Sequence, residues 1–279
     1  MAKNKLVPDE IKTYQFWKSV RCEFLITLLL VFMGCGSYNI WHSGTEYSDI
    51  RVALAFGFSV ATLMQCVGHI SGAHMNPAVT MAMLVTRNVS ILRTLFYIVA
   101  QCLGGVAGAG ILYGLTPNTS ATHLGVTYVH PEVPLGQAFG IEFMTTFLMV
   151  FTVFANVDSK RAEMGSRALS VGLSVIIGHL LAINATGASM NPARSLGPAV
   201  IMNRWTNHWV YWVGPILGGI IGGFTYEYTH DSSQQIQHFK RSFRRKQASM
   251  KRTRSTLSTN STISTEMAFT PTSTFDSLA

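Results

Sequence analysis

Residues 71–80 read SGAHMNPAVT, and residues 186–195 read TGASMNPARS. Both carry Gly-Ala-x-Met-Asn-Pro-Ala in one register, inside apolar sequence, and about ten further apolar residues follow each. Asn is a strong helix N-cap, and Pro is favoured at the first helical position. Asn76 and Asn191 therefore each predict the start of a short helix, over about 76–86 and 191–201. Ten residues at roughly 1.5 Å each give roughly 15 Å, half the thickness of a hydrocarbon core. Two such half-helices meeting at their N-termini would complete one span, with two caps and two positive dipole ends at its centre.

The rest of the chain fits this reading. Of 279 residues, 48% are hydrophobic and 12% charged, against roughly 25% charged in a soluble domain. Apolar runs long enough to span a membrane lie at about 22–40, 51–69, 94–115, 135–156, 167–184 and 208–228. The expected fold class is an all-α membrane protein of six transmembrane helices plus two re-entrant half-helices. No cleavable signal peptide is expected, since residues 1–21 are polar and basic. Cys22, Cys35, Cys66 and Cys102 all fall in apolar segments and read as small buried hydrophobes rather than disulfides or a metal site.

The duplication reaches beyond the two boxes. Glu23-Phe24 in the first span matches Glu142-Phe143 in the fourth. Gly68-His69 matches Gly178-His179, and Leu103-Gly104-Gly105 matches Leu217-Gly218-Gly219. Three spans per half require the halves to have opposite topology, the inverted-repeat architecture of channels and transporters. Paired glycines would let spans approach closely. The expected division is a cytoplasmic segment 1–21, a channel domain 22–229 with repeats at about 22–115 and 135–228, and a tail 230–279.

The net charge of +8 is unevenly spread. Lys3, Lys5, Lys12, Lys18 and Arg21 precede the first span, and eight more basic residues run from Lys240 to Arg254. Arg87, Arg93, Lys160, Arg161 and Arg167 lie in the second and fourth connections, whereas the first, third and fifth hold only Arg51, Arg194 and Arg204. The positive-inside rule then puts both termini in the cytoplasm. The connection 116–134 is outside, and Asn118 in Asn118-Thr119-Ser120 is a candidate glycosylation site. The basic, Ser/Thr-rich tail reads as disordered and drawn to anionic lipid. Beyond a positive-inside anchor, it offers Ser249 and Ser255 as candidate phosphorylation sites.

Two Asn-Pro-Ala boxes on six spans, with Arg194 directly after the second, resemble the aquaporin family over about residues 15–230. The context QCVGHISGAHMNPAVT is similar to its water-selective branch. The resemblance implies that Asn76, Pro77, Ala78, Asn191, Pro192 and Ala193 form the mid-pore motifs, with both asparagines aiming side-chain amide donors inward. It places an outer constriction at Phe56, His179, Ala188 and Arg194, with His179 as a second polar donor opposite Phe56. It assigns an acceptor rail to the backbone carbonyls of Gly72, Ala73, His74, Gly187, Ala188 and Ser189. Glu23 and Glu142 become buried carboxylates supporting the re-entrant loops, preferred over a proton relay. Ser195, Ala199, Tyr211 and Trp212 also match the water-selective pattern. Many relatives place a mercurial-sensitive Cys where this chain has Ala188. His69 and His74 read as hydrogen-bonded histidines at a pore mouth more readily than as pH sensors, and the remaining Met and Phe residues as lipid-facing or packing surface.

The function so implied is a passive water-selective channel in the plasma membrane, driven by osmotic gradients and excluding protons and ions. Water is the permeant and membrane lipids are partners. A homotetramer is implied by the family; no cofactor and no nucleic acid is. Two alternatives stay open: a channel for small neutral solutes such as glycerol or urea, and a low-conductance membrane junction protein. An enzyme is disfavoured, since no nucleophile–base set, metal-ligand spacing or phosphate loop appears.

Overall fold

A computed structural model describes residues 10–39, 48–117, 123–158 and 165–229. Asn118, Ser249, Ser255 and the tail 230–279 lie outside the described residues. The described chain is helical: α1 Tyr14–Gly36, α2 Asp49–Ser71, α3 Pro77–Val85, α4 Ile91–Leu115, α5 Leu135–Val157, α6 Arg167–Thr186, α7 Pro192–Met202 and α8 over 210–229. Among the described residues there is no strand. Helices α1, α2, α4, α5 and α6 are each long and apolar enough to cross a membrane, and α8 carries the sixth apolar run.

Helix starts follow local capping chemistry, which explains where hydropathy misplaces them. Thr13 caps α1 by accepting from the Phe16 amide. The first helix therefore begins inside the segment expected as a polar lead-in and ends at Gly36 rather than near 40. Its charged Arg21 is exposed, while Phe16, Ser19 and Glu23 turn inward. Ser90 caps α4 through the Arg93 amide, so that helix starts at Ile91 rather than 94. A side-chain oxygen that satisfies an orphan amide sets the boundary, not the first apolar residue.

The outside of the helices is apolar. Leu25, Met33, Phe58, Leu95, Leu103, Met144, Ile177 and Leu181 are all exposed. The fully buried set instead includes Glu23, Gln101, Glu142, His179 and Arg194. This inversion suits lipid, where polar groups must find partners inside the protein.

Small residues bring the backbones together. A Cβ on Gly104 would lie 2.4 Å from the Phe24 carbonyl of α1, and one on Gly218 would lie 2.2 Å from the Phe143 carbonyl of α5. The second glycine of each pair faces a short helix instead. Gly105 abuts the Ala193 carbonyl of α7, and Gly219 abuts the Ala78 carbonyl of α3. Each Leu-Gly-Gly therefore seats one long helix and one half-helix, and it is the alanine of an Asn-Pro-Ala box that rests on it.

Gly104→Leu and Gly218→Leu should each lower stability by about 1–3 kcal/mol through forced overpacking. Gly114→Leu, with nothing within 4 Å of the added Cβ, should not. Thermal unfolding of detergent-solubilised protein, followed by tryptophan fluorescence, would check all three.

Candidate functional site

The two boxes meet. Asn76 and Asn191 each sit in extended backbone as N-caps, with Pro77 and Pro192 at the first helical position. The Asn76 Oδ1 accepts from the Ala78 amide, and the Asn191 Oδ1 accepts from those of Ala193 and Arg194. The Asn76 Nδ2 donates to the Met190 carbonyl at 2.8 Å, and the Asn191 Nδ2 donates to the Met75 carbonyl at 2.8 Å. A carboxamide has two N–H donors. One on each asparagine is thus spent across the pseudo-symmetry axis, and only the other is left for the cavity. The sequence-based expectation that the amide donors simply aim inward is corrected to this extent.

Each approach to a box is held by a buried carboxylate. Glu23 Oε1 accepts from Ser71 Oγ at 2.6 Å and the His74 amide at 3.0 Å. Its Oε2 accepts from the Met75 amide at 2.8 Å and Gln101 Nε2 at 2.9 Å. Glu142 repeats the pattern with Thr186 Oγ1 at 2.6 Å, the Ser189 amide at 2.9 Å and the Met190 amide at 2.8 Å. Above each, a tyrosine hydroxyl donates to the carbonyl that closes the preceding helix, Tyr97 to Ser71 and Tyr211 to Thr186.

These bonds stabilise backbone that would otherwise be unfavourable. Gly72, Ala73 and Met75 have φ of 89°, 48° and 54°, and Gly187, Ala188 and Met190 have 80°, 49° and 51°. A left-handed L-residue costs about 1–2 kcal/mol. Gly72 and Gly187 are the left-handed C-caps of α2 and α6, where glycine carries no Cβ penalty.

A narrow cavity is lined by both asparagines. Its wall holds Ala73, His74 and Ser189 of the expected rail, and Phe56, His179 and Arg194 of the expected constriction. Gly72, Gly187 and Ala188 are not part of this wall. The rest is apolar, including Leu30, Val60, Val79, Val153, Val171 and Val175. Met64, Met75, Met149 and Met190 also face it, so these methionines are not lipid-facing. His69 is exposed near the end of α2 and is not among the residues of this wall. His74 pairs through Nδ1 with Thr80 Oγ1 at 3.0 Å.

At one end of the cavity the Phe56 and His179 rings stack, with centroids 4.5 Å apart and planes 22° from parallel. They touch rather than face each other across an opening, because α2 and α6 pack closely at Gly57 and Gly172. Arg194 lies over the Phe56 ring at 4.7 Å and over Tyr38 at 5.8 Å. Its Nη1 donates to the Gly125 carbonyl at 2.6 Å. The His179 Nδ1 lies 3.0 Å from the Val175 carbonyl. A carbonyl only accepts, so Nδ1 carries the hydrogen and Nε2 of the neutral ring is an acceptor. The expectation of a second donor at His179 is reversed by its own helix backbone. His179 Nε2, Arg194 Nε and Arg194 Nη2 are buried and have no partner among the described residues. Three unpaired polar atoms in an apolar wall cost about 1–3 kcal/mol each unless water reaches them.

Sequence reasoning missed Ser71, Gln101, Thr127 and Gly125. For Tyr97 and Tyr211 the signal was present, since they stand at matching distances before the two Leu-Gly-Gly triplets. Among the described residues no cluster of His, Cys, Asp or Glu has metal-binding geometry.

Spanning helices around two half-helices that meet end to end define a membrane channel of the inverted-repeat type. Residues 10–226 match the Major intrinsic protein family, and the chain belongs to that family, the aquaporins. It is 55% identical over 221 residues to Aquaporin-4 of Mus musculus, covering 77% of this chain and 68% of that one. It is 48% identical over 220 residues to the lens fiber major intrinsic protein of Homo sapiens, covering 78% of this chain and 83% of that one. The X-ray structure of the aquaglyceroporin from Plasmodium falciparum superposes with a TM-score of 0.69 at 25% identity, covering 76% of this chain and 95% of that chain.

Glu23→Gln places an N–H2 where donors now converge and should destabilise the protein by about 1.5–3 kcal/mol. Glu142→Gln should cost less, since Glu142 holds three donors and Glu23 four. Thermal midpoints of the two variants compared with the parent would show that order.

Proposed function

We propose that this chain is a passive water-selective channel. The observation that carries the reading is the cavity past both box asparagines, apolar but for a few fixed polar atoms. Apolar walls hold water weakly and let it move. Asn76 and Asn191 each supply one amide hydrogen at the midpoint, and a water there orients its oxygen toward both. The two half-helix N-termini add roughly +0.5 charge each, which opposes cations and protons. At the outer end, Arg194 Nε and Nη2 donate to a passing water and His179 Nε2 accepts from it, so one molecule satisfies both side chains. The Arg194 charge repels cations. The carbonyls of Ala73, His74 and Ser189, the rail residues that line the cavity, serve as acceptors in the two approaches.

Phe56 and His179 occupy the space a polyol would need, so the small-solute alternative is disfavoured. Its low-conductance alternative, a junction protein, has no particular observation behind it. No covalent chemistry is assigned. By analogy with the family the channel assembles as a homotetramer with one passage per subunit, in the plasma membrane, with both termini cytoplasmic.

Proteoliposomes should shrink rapidly under an osmotic step and remain shrunken in a glycerol gradient. Light scattering reads both, and glycerol entry at a comparable rate would refute the reading. Arg194→Val with His179→Ala removes the polar gate and should admit glycerol and raise proton flux. Unchanged selectivity in that double variant would remove both residues from the constriction.

A further inference from the structure

Three spanning helices each turn one face to the cavity, with lining residues four apart: Phe56, Val60 and Met64 on α2, Met149 and Val153 on α5, and Val171, Val175 and His179 on α6. Phe56 and His179 stack against each other. At roughly 1.5 Å per residue, Met64 lies roughly 12 Å along α2 from Phe56, and Val171 lies as far along α6 from His179. Met64 and Met149 thus bring two thioethers into a stretch of wall that is otherwise aliphatic.

The other methionines are placed differently. Met75 and Met190 precede the box asparagines, are 3% and 2% exposed, and lend their carbonyls to the crossed hydrogen bonds. The Met190 Sδ rests against Gly178, with no room for a Cβ between them. Met33 and Met144 lie on the outside of the bundle, 55% and 58% exposed, where the surroundings are hydrocarbon.

A thioether is a weak hydrogen-bond acceptor and suits an apolar wall. Its sulfoxide is polar and does not. Hydrogen peroxide is small and neutral, and donates and accepts hydrogen bonds as water does. A passage wetted by water therefore delivers it to Met64 and Met149.

We propose that Met64 and Met149 are oxidation sites through which peroxide slows conduction. This rests on the water-channel reading above. The sulfur lone pair attacks one peroxide oxygen, the S–O bond forms and the O–O bond breaks. The departing hydroxide takes the proton left on the transferred oxygen and leaves as water. The thioether gives up two electrons and peroxide accepts them. The new oxygen is a strong acceptor where the wall otherwise gives water no hold, and it fills space in a narrow cavity. Water binds there and moves more slowly. Reversal needs a sulfoxide reductase, and a folded enzyme does not enter this cavity, so the change persists in the folded channel.

The test is stopped-flow water permeability of proteoliposomes before and after hydrogen peroxide, with sulfoxides mapped by peptide mass spectrometry. Each sample is then treated with dithiothreitol, which reduces disulfides and sulfenic acids but not sulfoxides. The parent should lose about half its rate, keep that loss in dithiothreitol, and carry sulfoxide at Met64 and Met149 before Met33 and Met144. Met64→Leu with Met149→Leu, a change of similar volume, should hold its own starting rate after the same dose. A loss undone by dithiothreitol belongs to a cysteine and overturns the inference. So does an unchanged parent rate with both methionines oxidised, sulfoxide at Met33 and Met144 first, or an equal loss in the double variant. If the double variant does not reconstitute, the two single variants decide, each expected to retain part of the rate the parent loses. A parent that moves no water before peroxide overturns the channel reading itself, and the inference with it.

Discussion

Two hydrogen bonds cross the centre of the molecule, from Asn76 to the Met190 carbonyl and from Asn191 to the Met75 carbonyl. They make each half of the chain complete the other. Each asparagine caps its own half-helix through Oδ1 and ties down the opposite approach through Nδ2. The register of both re-entrant loops, the direction of their carbonyls and the single amide hydrogen left on each asparagine all depend on this exchange. A residue with only an acceptor or only a donor in its side chain could do one task but not both, so the carboxamide is required on chemical grounds.

The approaches to the boxes are strained and polar, and neither property survives in hydrocarbon without support. Glu23 and Glu142 provide it by gathering the loop amides onto one carboxylate each. Bonds to a charged acceptor are stronger than neutral ones, which offsets the left-handed alanines and methionines. The arrangement differs at the outer end, where Arg194 and His179 retain unpaired atoms. The two supporting carboxylates have their partners in the loops, whereas Arg194 and His179 on the cavity wall keep atoms free for the permeant in the proposed channel.

Packing places these groups. Gly105 and Gly219 seat the alanines of the two boxes against α4 and α8, so the half-helices rest on the spanning bundle and not only on each other. The symmetry is not complete, however. Aligning the Leu-Gly-Gly triplets puts Pro215, which has no donor, at the Gln101 position. Gln101 donates to Thr80 in the first half, and Thr127 of the connection after α4 donates to Ser195 in the second.

The sequence by itself determined the elements and their pairing. Asn-Pro within apolar sequence sets a helix start through local capping, and the repeated Glu, Leu-Gly-Gly and box motifs disclose the inverted halves. It also marked Phe56, His179 and Arg194, although through resemblance rather than chemistry. Only the tertiary structure decided where each asparagine spends its hydrogens, because the acceptors lie 114 and 116 residues away. The hydrogen-bonding sense of His179 was likewise beyond the sequence, since Val175 turns Nδ1 into a donor only once the ring adopts its place on α6. Gly125 carries no sequence signal at all. Its role comes from a backbone carbonyl, an atom every residue possesses, and position alone brings that carbonyl to Arg194.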